Sequence, residues 1–412
     1  MRIASVILPA GLLTMSMPAL AESYQWVQYT HAGLEARLTT SDSACPAIRI
    51  DGATSVMSVH AAPGPEYPVT TCKIVLPAGA KAASIADVPL ALPKADPQRI
   101  VVIGDTGCRI KGKKAQACND PVQWPFRLVA EMAAHQKPDL IVHVGDYHYR
   151  ETACPEGFVG CEGTPFGDNW AVWRADFFAP GDTLLRAAPW IMTRGNHEEC
   201  NRGGKGWSRT LEPTAFDADK GCNGMSTPFS VALPNLAIAV MDVSTASEEK
   251  VDETEAATFR AQFATLADKG PTWLALHRPI WSAEEVEKGV AVGDNRTLAA
   301  AALGTIPKNV NAMLSGHHHS FQVFNYDADL PVQITSGHGG DYLDKGTPLD
   351  PAGFVINGVT IKSGINVPKK FGFSMFEKQA SGDWSILNYD AYGKVLTRCT
   401  LSGRQAVCAP VG

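Results

Sequence analysis

Hydrophobic residues along this chain fall in short runs, and the runs change character near residue 96. From Glu22 to Pro93, segments such as CPAIRI, TSVMSVHA and TCKIVLP read as short strands broken by turns, and the stretch closes in the linker-like ALPKADPQ. Beyond it, apolar strand-like runs alternate with helical patterns: RIVVIGD, a helical stretch from Trp124 to His135, DLIVHVGD, the helical NWAVWRADFF, then PWIMTRGNHE. That alternation predicts an α/β domain. FSVALP, LAIAVMDV, TWLALH, VNAMLSG and PVQITSG add strands, a helix is expected from Glu253 to Ala267, and FGFSMFEK, WSILNYDA and VLTRCTL read as a terminal β meander. The expected organisation is a leader over 1–21, a small all-β domain over 22–96 and a catalytic domain over 97–412.

Composition narrows the setting. With 412 residues, 45% hydrophobic and 19% charged, the chain is globular rather than disordered. A net charge of −6 supplies no basic field for nucleic acid or anionic membrane, so an anionic substrate needs a local site. Arg2, an apolar run and Ala19-Leu20-Ala21 read as a signal peptide cleaved after Ala21. Pro9 and Pro18 speak against a membrane anchor, and the first cysteine, Cys45, stands too far along for a lipoprotein. A periplasmic or secreted protein is expected. Ten cysteines in an exported chain suggest disulfides. Sequential pairing is the economical expectation: Cys45 with Cys72, Cys108 with Cys118, Cys154 with Cys161, Cys200 with Cys222, and Cys399 with Cys408.

Candidate chemistry sits where the apolar strands stop. Asp105 follows one strand, Asp146 and Tyr149 the next, Asn196 and His197 a third, and His277, His317 and His319 two more. Loops at strand carboxyl ends form the functional crevice of α/β folds, and carboxylate, imidazole, amide oxygen and phenol are all metal ligands. Taken singly, each has a plainer explanation: a cap, a turn former, a satisfied histidine or a packed aromatic. Their joint occurrence in five strand-end segments favours a metal site. Within SGHHHS, extended backbone would turn His317 and His319 one way and His318 the other, which leaves His318 a structural role.

The ordered set GDTG, GDYHY, GNHE, LALH and GHHH resembles the signature of the calcineurin-like metallophosphoesterases and, within them, the purple acid phosphatases. Leu274 stands where that pattern usually has valine, and the resemblance spans Arg99 to Gly340. It implies a β-sandwich flanked by helices and two metal ions bridged by Asp146. One ion would take Asp105, Tyr149 and His319, the other Asn196, His277 and His317; the first would be Fe(III) and the second Fe, Zn or Mn(II). Two cations about 3.5 to 4 Å apart need anions between them, and with Asp105, Asp146, the Tyr149 phenolate and a hydroxide the formal site charge is roughly +1.

The implied activity is hydrolysis of phosphate monoesters by direct attack of a metal-bound hydroxide, with a small phosphate ester as the partner and neither nucleic acid nor membrane. His197 is the expected proton donor to the leaving group and Glu198 its orienting residue. The alternative is a phosphodiesterase acting on nucleotides or lipid headgroups through the same centre, and a binding protein of this fold without turnover is a further class. His148 and His338 either touch substrate or serve the structure around it, and His143 reads as a core histidine. The basic loop CRIKGKKAQAC, with Arg109, Lys111, Lys113 and Lys114, either steers anions or is a solvated loop.

Overall fold

The structure, a computed structural model, describes residues 22–411 apart from 268, 284, 288–289, 293–294 and 345–349, with only the backbone for 285–287 and 290–292. The leader expected over 1–21 therefore lies outside the described residues. Two sheets, of eleven and eight strands, lie face to face. The first is centred on the parallel strands Arg99–Ile103, Leu140–His143 and Trp190–Met192. The second is centred on Leu236–Val240, Thr272–Ala275, Val310–Ser315 and Val332–Ser336, also parallel.

These strands are apolar on both faces because both faces are covered. Successive side chains alternate, so Ile100 and Val102 pack inward on Ile238, Trp273, Ala312 and Leu314 of the other sheet. Val101 and Ile103 face outward, onto the helix Phe126–His135 and the aromatic helical segment from Trp170 to Leu185. On the far side, Ala239, Leu274 and Met313 cover the helices Glu253–Ala264 and Arg296–Ala302. This is the expected β-sandwich flanked by helices. The terminal meander is also present, and its first strand, Gly372–Lys378, runs antiparallel beside Arg99–Ile103.

The stretch 22–96 is all-β, and four of its strands extend the eleven-stranded sheet. Ser23–Thr30 pairs in parallel with Trp190–Met192, Gln28 opposite Trp190, and carries Gly33–Thr40, Thr70–Val75 and Ser58–Ala61 outward as one wing of the eleven-stranded sheet. Tyr24 and Trp26 belong to the main core, against Phe178. A separate four-stranded sheet, from Ala47–Ile50 to Val88–Pro89, closes over Val27, Leu38, Ile48 and Ile85. The change of pattern near residue 96 is thus a change of sheet topology: the amino-terminal stretch keeps a core of its own around Ile48, while Tyr24 and Trp26 join the main one.

A buried ion pair fixes this wing. Arg37 is fully buried with Glu35, and its guanidinium donates to the carbonyls of Thr210 at 2.6 Å and Glu212 at 2.7 Å. Removing Arg37 leaves the buried Glu35 carboxylate with only Lys73, at 3.7 Å, so Arg37→Ala should cost about 3 to 5 kcal/mol in urea denaturation. A loss too small to measure would mean that the wing is an accessory to the fold.

Candidate metal centre

The carboxyl ends of the parallel strands from both sheets meet in one place. Asp105, Asp146 and His317 there have φ of 55°, 61° and 69°, left-handed backbone that non-glycine residues seldom adopt. Their neighbours dictate it. The Asp105 N–H donates to the Gly145 carbonyl, the Thr106 N–H to the Asp146 carbonyl, and the His317 N–H to the Asp105 carboxylate. The glycines of the motifs serve the same close approach: a Cβ at Gly195 would lie 2.1 Å from Asp146 Oδ1, and one at Gly316 would lie 2.4 Å from Asp105 Oδ2.

Seven side chains converge here. The Tyr149 hydroxyl donates to Asp105 Oδ1 at 2.9 Å and Asp146 Oδ2 at 2.8 Å. His277 Nδ1 meets the Val144 carbonyl at 2.8 Å, which assigns the neutral ring's proton to that nitrogen and leaves Nε2 as the atom that takes up a second proton or a metal ion. That Nε2 faces Asn196 Oδ1 at 3.0 Å and Asp146 Oδ2 at 3.2 Å, and His317 Nδ1 faces the same Asn196 oxygen at 2.9 Å. His319 repeats the arrangement: Nδ1 meets the Tyr342 carbonyl, and Nε2 lies 3.3 Å from Asp105 Oδ1 and 3.2 Å from the Tyr149 oxygen. Lone pairs are turned on lone pairs, which repels unless a cation lies among them.

The field of the site carries the same requirement. Burial works against a charged His277, yet Asp146 outweighs it and pushes the pKa up to about 9. Burial likewise opposes a charged His319, but Asp341 and then Asp105 push it up to about 10. Burial together with Asp105 and Asp146 drives the Tyr149 phenol well above its ordinary range. A field that binds protons this firmly also suits metal ions, and Asp146, His277 and His317 bring ligand atoms within 4.8 Å of one another. The seven donors, two buried carboxylates among them, fit such ions.

Around them is a cavity of about 280 Å3 lined by Arg109, Lys111, Tyr149, His197, Arg202, Glu248 and others. His197 lies against Tyr149 with ring centroids 3.8 Å apart and ring planes tilted by 41°. Burial first, then Arg202 and Arg109, hold its pKa down to about 3 against the pull of Asp146 and Glu151, so the ring is neutral.

Glu198, expected to orient His197, does something else. Its oxygens accept from the backbone N–H groups of Asp146, Tyr147, His148 and Gly195 at 2.8 to 3.1 Å, tying two strand-end turns together. The carboxylate beside the imidazole is Glu151, 2.9 Å from Nδ1, and Arg202 donates to the ring and to Glu151.

Further supporting residues also went unrecognised in the sequence. Asp176, in the π-helical turn Arg174–Phe178, accepts from the backbone of Cys108 and Tyr149 at 3.1 and 2.9 Å and pairs with Arg150. Asp341 pairs with Arg109, whose guanidinium lies 4.8 Å over the Tyr149 ring. Glu248 faces His317 Nε2 and pairs with Arg278. A visible signal existed for Glu151 alone, which stands two residues past Tyr149 in GDYHYRE.

The ambiguous histidines resolve. His143 stacks on Tyr147 at 3.8 Å in the core, His148 reaches the Gly167 carbonyl, and His338 reaches Asn388. The triplet is a turn, not an extended run: left-handed backbone at His317 and a His318 N–H bonded to the Gly316 carbonyl separate the rings. The five sequential disulfides are present. Cys108–Cys118 closes the loop that brings Arg109 and Lys111 to the cavity, whereas Lys113 and Lys114 stay exposed outside it. Cys200–Cys222 spans Arg202, and Cys154–Cys161 follows Glu151.

Residues 98–321, a little over half of the chain, match the family model for calcineurin-like phosphoesterases. A solved purple acid phosphatase from yellow lupin (Lupinus luteus) seeds is similar at 12% identity and a TM-score of 0.55, over 93% of this chain and 74% of that one. PhoD is similar at 10% identity and a TM-score of 0.55, over 95% of this chain and 92% of that one. Likeness at such identities is one of fold. No curated protein matches the chain in sequence.

Burial holds the pKa of His338 down to about 4 from 6.5, with the Asn388 hydrogen bond pulling the other way. The unfolded chain therefore takes up this proton first, and the stability the neutral ring contributes is complete above pH 6.5 and drains away as pH falls towards 4. His338→Gln should make the fall in Tm across that window shallower than in the parent protein. An unchanged slope would show that other groups govern the acid transition.

Proposed function

The chain belongs to the calcineurin-like phosphoesterase family, and from that premise we propose an exported phosphomonoesterase whose two metal ions are held by Asp105, Asp146, Tyr149, Asn196, His277, His317 and His319. It is a phosphoric ester hydrolase of a family that works through a dinuclear metal centre. The observation that carries the reading is the set of seven buried or half-buried donors turned on one another. Asp146 would bridge the ions, with Asp105, Tyr149 and His319 on one and Asn196, His277 and His317 on the other. The tyrosine is what favours Fe(III) on the first and Fe, Zn or Mn(II) on the second. Once bound, such ions supply an activated water and offset the charge of the phosphoryl oxygens.

The protein's own groups do the rest. The Val144 and Tyr342 carbonyls fix which nitrogen of His277 and of His319 faces inward. Glu198 and Asp176 hold the backbone of the Asp146 and Tyr149 turn, so the donors are positioned before substrate arrives. His197 is the proton donor to the leaving oxygen, with Glu151 as its orienting partner. A phosphate dianion in the cavity would raise the proton affinity of that imidazole, because burial and Arg202 are what depress it. The bound ions, together with the cations at the cavity, would outweigh the lining carboxylates Glu248 and Asp344 and so favour a monoester, the more highly charged ester, over a diester. Export is supported by five disulfides, and no helix among the described residues is long and apolar enough to cross a membrane.

Turnover of a monoester and a bis-ester sharing one leaving group tests the ester class: the monoester should be hydrolysed faster, and a preference for the bis-ester would make the protein a phosphodiesterase. His197→Ala should lower kcat by about 100-fold or more for an alkyl phosphate, and far less for an activated aryl phosphate, with metal content unchanged. Equal losses on the two esters would remove the proton-donor role.

A further inference from the structure

The positive charges around the cavity are not evenly matched. Glu151 offers one carboxylate to two cations: Arg202 holds Oε1, and Lys111 lies 3.3 Å from Oε2. One positive charge is left over at that point. Arg109 differs, because buried Asp341 answers its charge. Beside His317, Glu248 already takes Arg278, and beside His319 the further lining carboxylate, Asp344, accepts from the Ser320 hydroxyl, so the surplus is local to Glu151. The unmatched cation therefore adjoins His197, which both Glu151 and Arg202 touch.

We infer that the esters this site prefers carry a second anionic group, phosphate or carboxylate, on the leaving portion, and that Lys111 with Arg202 receives it. The inference rests on the proposal that His197 serves the leaving oxygen, since a cation next to the proton donor then faces what departs rather than the phosphoryl group that stays. The two cations suit the task differently. Arg202 is held by Glu151, by the Asn196 carbonyl at 3.1 Å and by the His197 ring, so it is a fixed wall. Lys111 has a half-exposed side chain and a single, moderately long contact, so it can turn to an incoming anion at small cost. Both stand on loops closed by disulfides, Cys108–Cys118 and Cys200–Cys222, which limits the ordering entropy that binding must overcome.

The test compares kcat/KM of the metal-loaded protein on three monoesters: glycerol 2-phosphate, whose alcohol is neutral; 3-phosphoglycerate, which adds a carboxylate; and a sugar bisphosphate, which adds a phosphate. The parent protein should favour one or both of the anionic esters, and which one identifies the group received. Lys111→Gln should lower the anionic-to-neutral ratio about tenfold, the size of one charge-assisted contact at a part-exposed position. Lys113→Gln, in the same loop but exposed outside the cavity, removes the same charge and should keep the ratio. Equal losses on all three esters with Lys111→Gln, or equal losses of the ratio with both variants, would overturn the inference and leave the phosphomonoesterase reading standing. Turnover of none of the three would overturn both.

Discussion

Everything in this structure is arranged around a cluster of lone pairs that needs a cation. Asp105, Asp146, Asn196, His277, His317 and His319 present acceptor atoms to one another at 2.9 to 3.3 Å, with a single hydroxyl, that of Tyr149, to donate among them. Such a cluster is costly to bury unless it binds positive charge, and proteins keep costly clusters where they perform chemistry. The upward pull on the pKa values of His277 and His319 is the same demand expressed through protons.

The two-sheet architecture makes the cluster possible. Strands apolar on both faces give each sheet a firm core on either side, and the residues just past their carboxyl ends are the first free to be polar. The first sheet contributes Asp105, Asp146, Tyr149 and Asn196; the second contributes His277, His317 and His319. Positioning then falls to buried carboxylates that never face the cavity: Glu198 collects four backbone N–H groups and Asp176 three. Around the mouth, disulfides do for the loops what the core does for the strands.

This division explains what could be read in advance. Asp105 and His277 are the first polar residues after apolar runs, and Asp105, Asp146, Asn196 and His317 each follow a glycine, so local pattern marks these candidates. Glu198 stands in the same motif as Asn196 and invited a catalytic role, but its function depends on the Asp146 turn packing against it, which sequence does not display. Asp176 and Asp341 are distant in sequence from what they hold, and nothing local separates them from surface acids. The parallel pairing of Gln28 with Trp190 is likewise a long-range event, so the amino-terminal wing read as a domain of its own. Strand alternation, which set His317 and His319 apart from His318 in the sequence, does not apply, since a left-handed turn parts them from it.

The central claim is that these seven side chains hold two metal ions, one of them bound by the Tyr149 phenolate. Elemental analysis of the purified protein together with its visible spectrum tests it most directly. The account predicts two ions per chain and a tyrosinate-to-iron absorption that Tyr149→Phe abolishes. Two zinc ions without that band would contradict the role given to Tyr149, and a protein that binds no metal would contradict the account as a whole.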